Sequence, residues 1–306
     1  MSAKGGTRAI LAAFAANLGI AIAKFIGFLL TASASMLSES IHSTADAGNQ
    51  GLLLLGHRRA RRAPDDEHSF GYARERYFWS FVVALVLFSL GALFSLFEGY
   101  DKVRHPHEID SVEVAFVILG VAILLEAFSF RTAINEARPH KGSSSWPGYI
   151  RHAREPELPV VLLEDLGALI GLMLAFGALI VAEITNDAVW DGIGTLCIGV
   201  LLAFIAIVLA IEMKGLLIGE SATRDNVRLI EDAIVGSMDV LQLIHLRTQH
   251  LGPEELLVGA KVQFRDDLDM SGLARAIDDT EARIRAVVPI ARPMYIEPDI
   301  FRVPEA

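Results

Sequence analysis

The chain has 306 residues, of which 53% are hydrophobic, and its mean hydropathy is positive. A formal charge of −10 argues against nucleic-acid binding, and the single cysteine, Cys197, excludes both an internal disulfide and a cysteine-based zinc finger. Soluble proteins of this size rarely contain several apolar runs of about twenty residues, so the composition indicates a protein of the lipid bilayer.

Six membrane spans are predicted from the apolar runs, at roughly residues 8–30, 34–56, 78–100, 112–134, 158–182 and 188–212. Each run is long enough to cross a hydrocarbon core of ~30 Å. The first run resembles a signal peptide only superficially, because it contains Lys24, lacks a clear cleavage site and leads directly into another run. We expect spans one, two, four and five to enclose a polar site, because spans two and five carry its charges.

Basic residues crowd the loop between spans two and three and the loop between spans four and five. The opposite loops are short, and their only Lys and Arg residues are Lys102 and Arg104. The positive-inside rule then predicts that both termini are cytoplasmic. The Arg- and Ala-rich composition suggests a bacterial chain, and hence the bacterial inner (plasma) membrane.

From about Ser221 the pattern changes to that of a small α+β domain. The predicted order is helix 226–238, strands 240–246 and 256–264 separated by a turn at Gly252, helix 271–287 capped by Asp269 or Ser271, and strand 294–301. The predicted domains are therefore a six-helix transmembrane domain over residues 1–219 and a cytoplasmic αββαβ domain over 220–306. We expect residues 142–148 to form a flexible connection and His250 to be exposed.

Two acidic stretches lie inside the apolar runs, where ionisable groups are costly. His42 and Asp46 are four residues apart and share one face of a helix, and Glu39 can share that face and orient the His42 ring. Glu164 and Asp165 point about 100° apart, so one can bind an ion while the other meets a neighbouring helix. The alternatives are a helix–helix hydrogen bond for the first pair and a position at the cytoplasmic mouth for the second.

Imidazole and carboxylate groups together suit a divalent cation such as zinc, so the pattern predicts a metal carrier. Metal binding displaces protons from such ligands, and an imidazole titrates near pH ~6.5, so exchange of metal for protons is expected. The sequence contains no nucleophile–base pair, phosphate loop or haem motif, which argues against an enzyme. The alternative function is a metal-binding membrane sensor or scaffold with little flux.

The stretch from Met36 to Asn49, with its His-Ser-x-x-Asp pattern, resembles the second helix of the cation diffusion facilitators, which are zinc-transporter-like metal/proton antiporters. Residues 68–75 resemble the His-x-Phe-Gly-His-x-Lys-x-Glu region of that family. The resemblance implies a homodimer, a tetrahedral metal site between helices two and five, alternating access driven by proton exchange, and a metallochaperone-like tail that helps to dimerise the protein. It implies a transported metal and no resident cofactor.

The resemblance also implies a ligand set, with one departure. Zinc-selective relatives carry His-x-x-x-Asp in helix five, whereas Val161 takes the His place here if Asp165 takes that of Asp. The implied transport site is then His42, Asp46 and Asp165, with Glu164 or water as the fourth ligand. Zinc is the first expectation, and the oxygen-rich set makes manganese or iron plausible.

Two further metal sites are implied by matches to the family, each with altered ligands. In the loop, Asp65 and His68 match, but Tyr72 replaces a second His, and the alternative is a solvated acidic loop. In the tail, the matching residues are His245, Glu297 and Asp299, with Lys261 in the place of another His. Arg74 takes the place of a family Lys, and Glu220 is its candidate partner; the alternative is a phosphate-facing basic charge.

Overall fold

The computed structural model describes residues 3–31, 34–106 and 112–302, and within the helices it leaves undescribed the side chains of residues 3–9, 27, 28, 30, 31, 34–39, 41, 42, 45, 46 and 86–88. The chain divides into two compact units. The first comprises Met1–Arg61 and Glu75–Lys214, and the second comprises Arg62–Arg74 and Gly215–Ala306. The loop 62–74 therefore belongs to the same unit as the tail. The predicted domain boundary between residues 219 and 220 assigns this loop to the helical domain instead.

The first unit is helical. Its elements are α1 (Ala3–Thr31), α2 (Ala34–Arg59), α3 (Glu75–Val82), a π-helical turn (Val83–Leu87), α4 (Phe88–Arg104), α5 (Val112–Lys141), α6 (Trp146–His152), α7 (Glu157–Thr185) and α8 (Val189–Ile218), whose last four residues belong to the second unit.

Four helical segments in the described part of the chain are long and apolar enough to cross a membrane: Glu75–Arg104, Val112–Lys141, Glu157–Thr185 and Val189–Ile218. They coincide with predicted spans three to six, so the chain is an integral membrane protein. Predicted spans one and two are helical as α1 and α2, but α1 contributes a shorter apolar stretch, Ile10–Ile26. Six crossings therefore stay a prediction.

Helix α1 packs against α2, α5 and α7, and α5 packs against α7. That spans one, two, four and five enclose a site stays a prediction. Within the same unit, α4 and α8 are joined by close backbone approaches at glycines. A Cβ on Gly99 would lie 2.7 Å from the backbone nitrogen of Leu196, and one on Gly199 would lie 2.7 Å from Leu96. Small residues at such crossings allow the dispersion contacts that hold helices together in lipid.

The second unit has the predicted αββαβ order: α9 (Arg224–Val235), β1 (Val240–Gly252), β2 (Glu255–Phe264), α10 (Met270–Val287) and β3 (Ala291–Pro298). The sheet order is β1-β2-β3, with β1 antiparallel and β3 parallel to β2. Alternate residues of β2 are buried, as period-two patterning requires, and they pack with Ile230 and Ile234 of α9 and Ile284 of α10. Asp269 caps α10 by accepting a hydrogen bond from the Gly272 amide.

Four local expectations differ from the structure. Strand β3 begins and ends three residues earlier than the predicted 294–301. The last three residues of the predicted flexible connection 142–148 belong to α6, because Ser145 caps the helix through the Gly148 amide and a proline occupies the first turn. Strand β1 runs six residues beyond its predicted end, since Arg247 to Gly252 continue the ladder with β2. His250 is buried, with Nδ1 3.2 Å from the Gly252 carbonyl oxygen.

Candidate metal site

The acidic pair of α7 is buried about a third of the way along that helix, with 7% of Glu164 and 1% of Asp165 exposed. Ser129 of α5 donates a hydrogen bond to Asp165 Oδ2 at 2.9 Å, whereas Asn49 of α2 donates to Glu164 Oε1 at 3.0 Å. The two carboxylates therefore turn toward different helices, as their separation around α7 requires.

Asp165 retains one unused oxygen. Its Oδ1 is buried and has no hydrogen-bond partner among the described residues. A buried carboxylate oxygen without a donor is costly, and a bound cation or a proton removes that cost. Val161, one turn earlier on α7, is fully buried and cannot ligate a metal.

The predicted ligands of α2, His42 and Asp46, and the predicted supporting residue Glu39 lie within the helix, but their side chains are outside the described residues. Among the described residues, no group of three or more His, Cys, Asp or Glu side chains is placed to hold a metal. The assembly of His42 and Asp46 with Asp165 therefore stays a prediction.

Other buried polar side chains lie on α1, α2 and α5. Lys24 of α1 donates to Ser43 Oγ at 3.0 Å, and Asn17 of α1 donates to Gln50 Oε1 at 3.4 Å. Glu126 of α5 is also buried. The sequence analysis does not single out Asn49 and Ser129, which contact the acidic pair, although a polar residue inside an apolar run is itself the signal that marks them.

A buried ion pair joins α3 to α7. Arg76 donates Nη2 to Glu157 Oε2 at 2.8 Å and Nε to Oε1, which is a bidentate arrangement. The sequence reasoning singled out Arg74, two residues earlier, with Glu220 as partner. Arg74 is exposed, and its pairing with Glu220 stays a prediction.

The loop residues Asp65, His68 and Tyr72 lie together in the second unit. Tyr72 OH donates to Asp65 Oδ2 at 2.6 Å, the His68 amide donates to Oδ1 at 2.8 Å, and the His68 and Tyr72 ring centroids are 4.4 Å apart. The Tyr72 hydroxyl is the main cause that lowers the pKa of Asp65, followed by the His68 amide. Both carboxylate oxygens therefore already have donors, and a metal in the loop would compete with them.

In the tail, Lys261 bridges two of the predicted ligands. Its Nζ lies 3.1 Å from Glu297 Oε1 and 3.0 Å from Asp299 Oδ2. The hydrogen bonds to Asp299 and Glu297 raise the pKa of Lys261, and Lys261 in turn lowers that of Asp299. His245 is exposed and lies opposite Lys261 in the β1–β2 ladder. The Lys261 ammonium thus pairs with the two carboxylates that a metal ion would need as ligands.

A family model for the cation efflux transmembrane domain matches residues 10–218. The chain belongs to the cation efflux, or cation diffusion facilitator, family. It is 30% identical over 272 residues to the human protein named proton-coupled zinc antiporter SLC30A9, mitochondrial, covering 88% of this chain and 47% of that protein. The chain thus spans about half the length of that relative.

Two other relatives extend the comparison. Metal tolerance protein C4 of Arabidopsis thaliana is 28% identical over 263 residues, covering 85% of this chain and 58% of the plant protein. Zinc transporter ZitB of Pectobacterium atrosepticum is 27% identical over 277 residues, covering 90% of this chain and 81% of the bacterial protein. The match with ZitB includes most of both chains.

Proposed function

We propose that the protein exports a divalent metal cation in exchange for protons, with Asp165 as a ligand of the transport site. The observation that carries this proposal is the Asp165 carboxylate, which is buried inside a membrane helix, fixed at Oδ2 by Ser129, and without a hydrogen-bond partner at Oδ1 in the described part of the chain. Burying such a carboxylate in the membrane costs free energy unless it binds a cation or a proton.

The other proposed ligands are His42 and Asp46, which lie four residues apart on α2. The names of the human antiporter and of ZitB favour zinc as the transported ion. A site with one imidazole and two or more carboxylates would also accept manganese or iron, because oxygen ligands suit harder ions.

Proton coupling follows from the chemistry of these ligands. A metal requires neutral imidazole and ionised carboxylates, so metal and protons compete for the same groups. With alternating access, protons entering from the more acidic side displace the metal outward. We also propose a homodimer, a cytoplasmic tail that contributes to dimerisation, cytoplasmic termini, and the bacterial inner membrane as the location.

The test is metal-dependent flux in proteoliposomes that contain a pH-sensitive dye, compared across zinc, manganese, iron and cadmium. Proton movement coupled to one of these ions is the expected result, and it would also identify the substrate. Asp165→Asn and Asp46→Ala should abolish flux. Glu183→Gln, which removes an exposed carboxylate from the far end of the same helix, should not.

Two results would overturn this proposal. Flux that persists in Asp165→Asn would remove Asp165 from the site. Tight metal binding by the wild-type protein without flux of any tested ion would favour the sensor or scaffold alternative.

A further inference from the structure

The buried amide of Asn49 links the two helices that carry the proposed ligands. Its Nδ2 donates to Glu164 Oε1 at 3.0 Å, and the two side chains are 5% and 7% exposed. A hydrogen bond in a low-dielectric interior is electrostatically stronger than the same bond in water. This contact therefore ties α2 to α7.

The position of this contact places it at the depth of the proposed site. Asn49 lies three residues after Asp46, which is about 4.5 Å along the helix and nearly the same face. Glu164 directly precedes Asp165. The bond thus fixes α2 and α7 to each other within one helical turn of a proposed ligand on each helix.

The contact also distinguishes the surroundings of the two adjacent acids. Glu164 Oε1 accepts from Asn49 of α2, whereas Asp165 Oδ2 accepts from Ser129 of α5. Because Asn49 uses its nitrogen for Glu164, its own Oδ1 points elsewhere, and this oxygen is buried without a described hydrogen-bond partner.

We propose that Asn49 is a positioning residue of the transport site, which holds Glu164, and with it this turn of α7, against α2 beside the proposed ligands. This inference rests on the proposed transport function and deepens it. Residues that orient ligands typically change metal affinity by about 10–100-fold when they are removed. Asn49 should therefore affect the affinity for metal more than the maximal rate.

The experiment measures zinc affinity of the folded, detergent-purified full chain by competition with a chelating dye, and KM and maximal rate in proteoliposomes. Binding that is lost in Asp165→Asn defines the site of interest. Asn49→Ala should weaken this binding and raise KM by about 10–100-fold with a smaller change in maximal rate. Glu164→Gln should cost less than Asp165→Asn, because a Gln oxygen can still accept from Asn49.

Asn17→Ala is the matched control. It removes another buried amide bond between helices, from Asn17 to Gln50 at 3.4 Å, without touching Glu164. It should leave KM unchanged if the effect of Asn49 is specific to the site.

A double variant tests the contact itself. Asn49→Asp alone places two carboxylates against each other and should weaken binding at least as much as Asn49→Ala. Combined with Glu164→Gln, it restores a donor–acceptor pair in the reverse sense, and affinity should recover by about tenfold relative to Asn49→Asp. This comparison tests the contact between residues 49 and 164 even if Asn49→Ala does not fold.

The inference is overturned if Asn49→Ala keeps the wild-type affinity, if Asn17→Ala has an equal effect, or if the double variant binds no better than Asn49→Asp. A wild-type protein that binds zinc without flux, while Asn49→Ala binds more weakly, would support the role of Asn49 and overturn only the antiport. A wild-type protein with neither binding nor flux would overturn both.

Discussion

Arg76 and Glu157 form the best-enclosed ion pair described in the helical unit, and a buried pair behaves differently from an exposed one. Removing one member leaves the other charge in a site that water does not reach. Glu157→Gln should therefore lower the free energy of unfolding by about 3–5 kcal/mol, which thermal unfolding in detergent can measure.

The control for this prediction is Glu281→Gln on α10. Glu281 pairs with Arg285 one turn away at the surface, and such pairs contribute only about 0.3–0.5 kcal/mol. Equal effects of the two substitutions would show that the Arg76–Glu157 pair is not buried in the membrane-embedded protein.

Lys261 supplies a second prediction at the level of the residue. Because its ammonium bridges Glu297 and Asp299, the tail should gain no stability from zinc. Lys261→His replaces the ammonium with an imidazole next to two carboxylates, and it lies opposite His245. Zinc should then raise the Tm of this variant by preferential binding to the folded state.

The same substitution combined with Glu297→Gln and Asp299→Asn should lose the response to zinc. If zinc raises the Tm of the wild-type tail as much as that of Lys261→His, the tail binds metal despite Lys261, and the ligands must come from other residues.

At the level of helices, α4 and α8 can cross this closely only because glycine, which has no side chain, occupies the crossing. A Cβ on Gly99 would lie 2.7 Å from a backbone nitrogen and 3.0 Å from a backbone oxygen of α8, so the helices would have to separate. Gly99→Ala should therefore destabilise the protein by about 1–3 kcal/mol, measured as a lower Tm.

Gly177→Ala on α7 is the matched control, because no atom lies within 4 Å of its added Cβ. The methyl group of Gly177→Ala should leave the free energy of unfolding unchanged or raise it by about 0.5–1 kcal/mol, because alanine favours the helix more than glycine does. Destabilisation by both substitutions to the same extent would contradict the packing of α4 against α8.

Most elements could be predicted because their signals are local. Long apolar runs predict the membrane helices. The alternation of apolar residues in β2 and the capping residue Asp269 of α10 predict elements of the tail. Helix α6 could not be predicted from its Ser-, Pro- and Gly-rich sequence, because the same residues begin helices and form loops. The extension of β1 depends on its partner strand, which is a tertiary effect.

Only the charged residues of the candidate site could be predicted from the sequence. Acidic residues inside apolar helices are visible in the sequence, but the partners that distinguish Glu164 from Asp165 come from α2 and α5, 115 and 36 residues away along the chain. That Arg76, and not Arg74, meets Glu157 likewise depends on how α3 meets α7. These long-range contacts follow from packing, which periodicity does not encode.

At the level of the whole molecule, the number of membrane crossings decides where the tail and the loops lie. Both four and six crossings place the two termini on the same side, so their location alone cannot distinguish the two cases. The short segment between α1 and α2 can: with six crossings it lies on the side opposite the tail, and with four it lies on the same side.

This difference can be measured with single cysteines in a Cys197→Ala background, which removes the chain's single cysteine. The positions are Ser33 between α1 and α2, Asp187 between α7 and α8, and Met238 in the tail, which is 89% exposed. A membrane-impermeant maleimide should label Ser33→Cys and Asp187→Cys from one side of the membrane, and Met238→Cys from the other. Labelling of Ser33→Cys from the side of Met238→Cys would instead mean that α1 and α2 do not cross, and His42 and Asp46 could not then reach Asp165 at membrane depth.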